Sequence, residues 1–268
     1  MGDGIYLARA AKHFWEEPPV SGTGGSGTVF FSGCSLGCVY CQNYEISHNG
    51  KGKLVSEDEL SEIFRRLVND GAHNINLVNP THYALKIRNV LKKEKPDVPV
   101  VYNSSGYEKV STLKSLEGLI DVYLPDLKYI SSERSLMYSD AEDYFLFASK
   151  ALAEMKRQCP ENIYDSEGLI KKGVIVRHLI LPQNTNQSIK ILQWIRENLG
   201  TDTAISLMSQ YTPCGKVDNF RELQRKITDR EYDKVISAAI DMGFTEIFTQ
   251  EKTSASEDFI PDFDFTGI

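Results

Sequence analysis

With 268 residues and a net charge of −7, pI near 5.4, the chain is long enough for a barrel-sized domain and carries the wrong sign for nonspecific capture of nucleic-acid phosphates. No apolar run approaches the roughly 18 residues of a membrane span, and the opening MGDGIYLARAAKHFWEEPP lacks the h-region of a signal peptide. A cytoplasmic protein with no nucleic-acid or membrane partner is the expectation, and five cysteines, an odd number, argue against a disulfide framework.

Residues 1–27 read as an N-terminal extension packing on the domain that follows. In its HFWEEPP segment, His13, Phe14 and Trp15 are expected to cover one end of that domain, a substrate site being the alternative. Gly22, Gly24 and Gly27 satisfy GxGxxG, but a dinucleotide fingerprint follows a strand and opens a helix so that phosphate meets the helix N-terminus. Here the glycines precede the strand formers TVFF, so they read as a flexible turn.

The first strand is expected at 28–33. Cys34, Cys38 and Cys41 follow it at once as CxxxCxxC, with Tyr40 directly before the last. Three thiolates in one short loop can hold three corners of a cubane iron-sulfur cluster. The fourth iron then has no protein ligand and is open to a substrate. A structural zinc site takes four ligands, commonly as two separated pairs, and the one fourth candidate near this triad is His48.

Ser56 and Glu59 then form a capping box ahead of Leu60, Ile63, Phe64, Leu67 and Val68 at helical spacing, with Gly71 ending the run. Further strands are expected at Asn74–Val78, Val98–Tyr102, Ile120–Leu124, Val174–Leu181 and Thr203–Met208, and a short seventh at Glu246–Phe248. A helix over 141–158 puts Tyr144, Ala148, Leu152 and Met155 on one side, and Thr228 with Glu231 caps a last helix carrying Val235, Ile236 and Ala239. The alternation predicts an α/β fold with a partial (β/α)6 TIM-like barrel over 28–250, active groups at the strands' C-terminal ends, and an acidic aromatic tail over 251–268 that folds back on the barrel. Docking of a partner is the alternative for the tail.

From ARAAKHFWEEPP through GSGTVFFSGCSLGCVYCQNYEISH the chain resembles the PflX-type branch of the radical SAM superfamily, which is related to the activating enzymes of pyruvate formate-lyase and other glycyl radical enzymes. The likeness continues through NPTHY, YNSSGY, LPDLKY, VRHLILP and SQYTPCG to FIPDFDFTG, with motifs less specific than the cysteine loop. The resemblance implies a barrel of the radical SAM type and a 4Fe-4S cluster on Cys34, Cys38 and Cys41. It further implies S-adenosylmethionine on the open iron, cleaved reductively to a 5'-deoxyadenosyl radical that abstracts a hydrogen atom. An electron donor such as flavodoxin or ferredoxin, and a glycyl radical enzyme whose glycine gives up the hydrogen, are the implied partners.

Carried over residue by residue, the resemblance puts Tyr40 near the adenine, a core aromatic being the alternative. The relatives' Gly-Gly-Glu-Pro motif matches Val78-Asn79-Pro80-Thr81, which has no carboxylate. Asn79 and Thr81 offer oxygens to the methionine ammonium without the charge that strengthens such bonds, and helix capping is the alternative for Thr81. Asn103, Ser104 and Ser105 stand near the ribose, Asn103 in place of an aspartate that holds a monovalent cation in some relatives; a simple turn is the alternative. Asp126 and Lys128 match charged groups of the cofactor pocket, or form an ion pair. Arg177 sits in the apolar run VIVRHLIL, where a charge is costly unless paired, so it needs an anion: the methionine carboxylate, Asp126 or another acidic side chain. His178, on the opposite face, reads as a packing histidine. Tyr211 falls where the relatives carry a histidine close to the adenosine. Cys214 is a hydrogen-atom donor, a metal ligand or an inert loop cysteine, and Cys159 is core. Two rival functions remain open, radical modification of a small molecule or peptide, and a noncatalytic iron-sulfur or zinc protein.

Overall fold

The computed structural model describes residues 4–249 and 261–268. The chain opens with β1 (Ile5–His13), the one-turn helix α1 (Pro18–Ser21) and β2 (Ser26–Phe31). The cysteine loop leads to α2 (Tyr44–Ser47), β3 (Lys53–Val55) and α3 (Glu57–Asn69). Strand and helix then alternate through β4 (Ile75–Val78), α4 (Ala84–Lys93), β5 (Val100–Ser104), α5 (Val110–Ser115), β6 (Val122–Pro125), α6 (Ser132–Ser139) and α7 (Tyr144–Gln158). The chain continues with β7 (Ile163–Tyr164), β8 (Ile170–Leu179), α8 (Thr185–Leu199), β9 (Ala204–Met208), α9 (Asp229–Asp241) and β10 (Ile247–Thr249).

Across the sheet the order is β10-β9-β8-β6-β5-β4-β2-β1-β3. From β2 to β10 neighbours pair in parallel, which gives the six expected units and β10 as the short seventh. Helices supply the outer core, with Leu60, Ile63, Phe64 and Leu67 from α3, Leu152 and Met155 from α7, and Ile191, Leu192 and Ile195 from α8. On the inner face Val101, Val122, Leu124, Ile175 and Ala204 form a second core. A parallel sheet buried on both faces, with strands in chain order, is the partial (β/α)6 TIM-like barrel.

Both capping boxes form. The Ser56 hydroxyl accepts from the Glu59 amide at 3.2 Å while the Glu59 carboxylate accepts from the Ser56 amide at 2.7 Å; Thr228 and Glu231 repeat this at 3.3 and 3.0 Å. Each box satisfies amides that the first helical turn leaves without partners. Strand limits differ by a few residues. β5 starts after Pro99, with the Asp121 carboxylate holding the Val100 amide at 2.9 Å. β8 begins as early as Ile170 because β7 pairs with it.

The larger difference is at the N-terminus. Residues 5–13 are a strand, antiparallel to β2 and β3. The alanine-rich IYLARAAKH carries little β-propensity, and the exposed edge of β2 decides its conformation. Phe14 and Trp15, expected to cover the barrel, are 47% and 61% exposed. The chain instead turns inward at Pro18, the first residue of α1, and it is Glu17, Pro19, Val20 and Ser21 that are buried, Val20 within the inner core. Of the GxGxxG glycines, Gly22 and Gly24 lie between α1 and β2, where the Gly24 amide donates to His73 Nε2 at 2.8 Å, and Gly27 is the second residue of β2.

At the other terminus the Phe265 amide donates to the Ala8 carbonyl at 3.1 Å, the Ala10 amide to the Thr266 carbonyl at 2.9 Å, and Phe263 packs edge-on against Phe30. Residues 261–268 thus lie along β1. The expected boundary at 250/251 and residues 251–260 fall outside the described residues. Among the described residues no helix is long and apolar enough to cross a membrane.

Candidate functional site

The cysteine loop leaves the C-terminal end of β2 and is held from two sides. On one, the Gly37 amide donates to the Ser139 carbonyl at 3.0 Å and the Val39 amide to the Tyr138 carbonyl at 2.9 Å, which ties the loop to the end of α6. On the other, the Lys216 amide donates to the Val39 carbonyl at 2.7 Å and the Cys214 thiol to the Tyr40 carbonyl at 3.3 Å. Gly215 makes this second approach possible. Its φ is +71°, and a Cβ there would lie 2.4 Å from the Val39 oxygen, closer than any side chain tolerates.

Each candidate thiol meets at least one hydrogen-bonding partner, and Cys34 has the Asn79 side chain as a second. Cys34 Sγ accepts from the Leu36 amide at 3.4 Å, Cys38 Sγ lies 3.0 Å from Ser139 Oγ and Cys41 Sγ 3.2 Å from Ser47 Oγ. Partners able to donate to sulfur suit thiolate ligands, whose negative charge needs hydrogen bonds when buried. Burial pushes the Cys38 thiol up to about 12, so in the cluster-free chain it keeps its proton and metal binding must displace it. Among the described residues no three His, Cys, Asp or Glu side chains are grouped to hold a single metal ion, the arrangement a mononuclear zinc site would need. His48, the fourth candidate for zinc, holds Ser47 Oγ at 2.8 Å and stacks on Tyr44. Three thiols that each serve a different iron of a cubane need no such convergence, and this donor set fits that group.

Beside the loop lies a cavity of about 240 Å³. Of the residues singled out in the sequence it brings together Tyr40, Cys41, Asn103, Asp126, Lys128, Arg177 and Tyr211. Tyr40 and Tyr211 meet edge-on with ring centres 6.0 Å apart, and the Tyr211 hydroxyl donates to the Leu223 carbonyl at 2.5 Å. Arg177 Nε donates to Asp126 Oδ1 at 2.9 Å, its Nη2 to Asn103 Oδ1 at 2.6 Å and its Nη1 to Glu16 Oε2 at 3.4 Å. Lys128 Nζ holds the other Asp126 oxygen at 2.6 Å. The anion that Arg177 needs is therefore supplied by acidic side chains.

Two cations, Arg177 and Lys128, face three carboxyl groups here, those of Asp126, Glu16 and the buried Glu17. Burial disfavours every one of these charges, yet Arg177 and Lys128 hold Asp126 below the usual carboxylate range, and Asp126 holds Lys128 above the usual lysine range. For Glu16 burial wins and its carboxyl is raised, although Arg177 and the Asn76 amide oppose this. Asn76 and Asn103 both donate to Glu16 Oε1, at 2.9 and 3.3 Å. Since Asn103 offers its oxygen to a guanidinium, a monovalent cation at that position would face like charge.

Of the residues the sequence assigned to the site, Asn79, Thr81, Ser104 and Ser105 do not line the cavity, and of the three cysteines Cys41 alone does. Asn79, at φ +59°, donates from its side chain to the Gly33 carbonyl and so braces the cysteine loop. Ser105 is buried with its hydroxyl unpartnered. Thr81 donates to Glu108 at 2.5 Å. Sequence reasoning missed Glu108, which is 2% exposed and raised by burial to about 7, against the hydrogen bonds of Thr81, Ser104 and Tyr102. A carboxyl raised in the folded state contributes stability that is fully present below pH 4.5 and lost as pH rises through about 7, ~3 kcal/mol in all. Glu108→Gln is expected to flatten the fall in Tm between pH 5 and pH 8, followed by thermal unfolding monitored by circular dichroism. An unchanged slope would show that Glu108 does not titrate in this window.

Also missed was Glu16 in the cavity wall, whereas His13 and Trp15, read from the sequence as covering one end of the domain with a substrate site as the alternative, both line it. Ser139 and Tyr129, behind the cysteine loop, were missed as well. Only the adjacent carboxylates of HFWEEPP hinted at any of these. His178 is the expected packing histidine: Nδ1 donates to the Leu127 carbonyl at 2.7 Å and Nε2 accepts from Ser188 at 2.9 Å, and burial pushes it down to about 4. Cys159 is 2% exposed in the outer core.

Residues 28–195 match the family described as the Radical SAM superfamily. The uncharacterized protein MJ0674 of Methanocaldococcus jannaschii is 31% identical over 225 residues, which cover 80% of this chain and 62% of that protein. Among solved structures, SuiB of Streptococcus suis bound to the precursor peptide SuiA shares the fold with a TM-score of 0.57 at 15% identity, over 82% of this chain and 47% of that one. The FeFe-hydrogenase maturase HydG from Carboxydothermus hydrogenoformans does so with 0.57 at 15% identity, over 85% and 54%. The chain thus spans less than two thirds of the length of each of these proteins. The cofactors of the matched superfamily are a 4Fe-4S cluster and S-adenosylmethionine. With 168 of its 268 residues inside the matched span, the chain belongs to the radical SAM superfamily.

Proposed function

We propose that this protein is a cytoplasmic enzyme that cleaves S-adenosylmethionine reductively and uses the resulting radical to take a hydrogen atom from a glycine of a partner glycyl radical enzyme. The observation that carries the reading is the meeting of the three-cysteine loop and a paired-charge cavity at the C-terminal ends of the barrel strands. Held by Cys34, Cys38 and Cys41, a 4Fe-4S cluster would supply the one electron, received from a donor such as flavodoxin or ferredoxin, for reductive cleavage of S-adenosylmethionine to methionine and the 5'-deoxyadenosyl radical.

The chain's own residues hold, orient and shield. Cys34, Cys38 and Cys41 hold the cluster. Arg177 and Lys128, both paired with Asp126, set cations and carboxylates side by side in the cavity wall, so a zwitterionic methionine group would meet both signs of charge there. Tyr40 and Tyr211 offer aromatic surface to the adenine, and Asn103 a polar edge to the ribose. Asn79 keeps the cysteine loop in place. Phe30, Val78 and Leu179 line the cavity with apolar surface and exclude water from the reacting carbon.

Oxygen-free reconstitution with iron and sulfide, then addition of S-adenosylmethionine and dithionite, is expected to yield 5'-deoxyadenosine and methionine. A fully loaded cluster that gives neither overturns the catalytic reading. Transfer of deuterium from a glycine-labelled acceptor protein into 5'-deoxyadenosine tests the choice of hydrogen donor, and label-free product with that acceptor rules glycine out.

A further inference from the structure

Behind the cysteine loop runs a line of three hydroxyls. Tyr40 and Tyr129 oxygens are 2.5 Å apart, Tyr129 and Ser139 2.7 Å, and Ser139 Oγ is 3.0 Å from Cys38 Sγ. Tyr129 and Ser139 are fully buried and Tyr40 is 6% exposed, so water does not compete for these bonds. Ser139 is also fixed in place, because its carbonyl and that of Tyr138 accept the Gly37 and Val39 amides on either side of Cys38.

We propose that this line acts as a directed hydrogen-bond relay that ends on the Cys38 sulfur and raises the reduction potential of the cluster, with Ser139 as the positioning residue that delivers it. The proposal rests on the reading of Cys38 as a cluster ligand. A metal-bound thiolate has no proton and can only accept. Ser139 then donates to Cys38, Tyr129 donates to Ser139 and Tyr40 donates to Tyr129, and every hydroxyl spends its one proton without conflict. The reverse direction would leave a buried thiolate without a donor, at high cost in a low-dielectric interior.

The three sulfurs are served unequally. Cys34 receives a longer main-chain bond from Leu36 and has the partly exposed Asn79 side chain, itself committed to the Gly33 carbonyl, as a second neighbour. Ser47, beside Cys41, divides its contacts with His48 Nδ1 at 2.8 Å, so its proton is contested. Only Cys38 has a buried donor whose remaining neighbour in the relay, Tyr129, is itself oriented as a donor. Reduction adds one negative charge to the cluster, so a hydrogen bond to its sulfur favours the reduced form more than the oxidised one. Removing that bond makes the cluster harder to reduce.

Redox titration of the reconstituted protein under argon, followed by electron paramagnetic resonance of the reduced cluster, tests this. Ser139→Ala is expected to lower the midpoint potential so that, at a fixed solution potential, the reduced-to-oxidised ratio falls about tenfold, ~59 mV for one electron. Tyr129→Phe keeps the serine but takes away its incoming donor, and is expected to shift the midpoint in the same direction by less. Iron content that falls with an unchanged midpoint would mean that Ser139 merely packs the loop, and overturns the proposal. If Ser139→Ala retains no iron, Tyr129→Phe decides alone, and a parental midpoint there overturns it. A parent protein that holds no reducible cluster brings down the proposed function and the relay together, whereas a loaded parent with unmoved variants brings down the relay only.

Discussion

Replacing Cys38 with alanine is expected to abolish both cluster assembly and formation of 5'-deoxyadenosine. Only two of the three thiols in the loop remain, and a binuclear fragment or no iron is the outcome that iron and sulfide analysis should register. Cys38 is 8% exposed, so solvent cannot supply a substitute ligand, and the Ser139 hydroxyl loses its acceptor. Loss of a residue that only supports a metal ligand costs about 10- to 100-fold; loss of the ligand itself should exceed that, with turnover down by more than about 100-fold. Retained turnover in this variant would refute the ligand assignment. Cys214 gives the contrast. Its thiol is bound to the Tyr40 carbonyl, a contact that serine can keep, and Cys214→Ser should therefore hold a normal complement of iron.

The second large effect is on stability. Arg177→Met is expected to destabilise the fold by ~3–5 kcal/mol, since it strips the shared cation from buried Asp126 and Glu16, leaving Asp126 to Lys128 alone and Glu16 without the guanidinium. The loss should grow with pH. Burial already raises the Glu16 carboxyl, and without the guanidinium that opposes this it rises further. An acid raised in the folded state takes up a proton on folding, so the variant gains stability as pH falls and is weakest when its carboxylates are forced to ionise. Urea unfolding at pH 6 and pH 8 measures this. A variant as stable as the parent at pH 8 would show that the network carries no net stabilisation. Adding Glu16→Gln to Arg177→Met should restore part of the loss.

What the sequence made legible was local. The cysteine triad could be read because ligands within eight positions declare their chemistry by spacing alone, and Ser56-Glu59 and Thr228-Glu231 because a capping box is written in four residues. Arg177 announced a need for an anion by interrupting an apolar strand. Which anion it meets was not readable, since Asp126 and Glu16 lie 51 and 161 positions away. The same holds for Ser139, separated by 101 positions from the sulfur it touches, and for Glu108, whose neighbours converge from two different βα units. β1 went unread for another reason. Its residues have no strong preference of their own, and the neighbouring strand imposes the conformation.

The two clamps on the cysteine loop come from α6 and from the segment after β9, the second more than 170 residues downstream of the thiols. On a ribosome, β2 and the cysteines that follow it emerge long before either clamp exists. The nascent chain therefore exposes three unorganised, oxidisable thiols throughout most of its elongation. The loop gains its second clamp only when translation has passed Lys216.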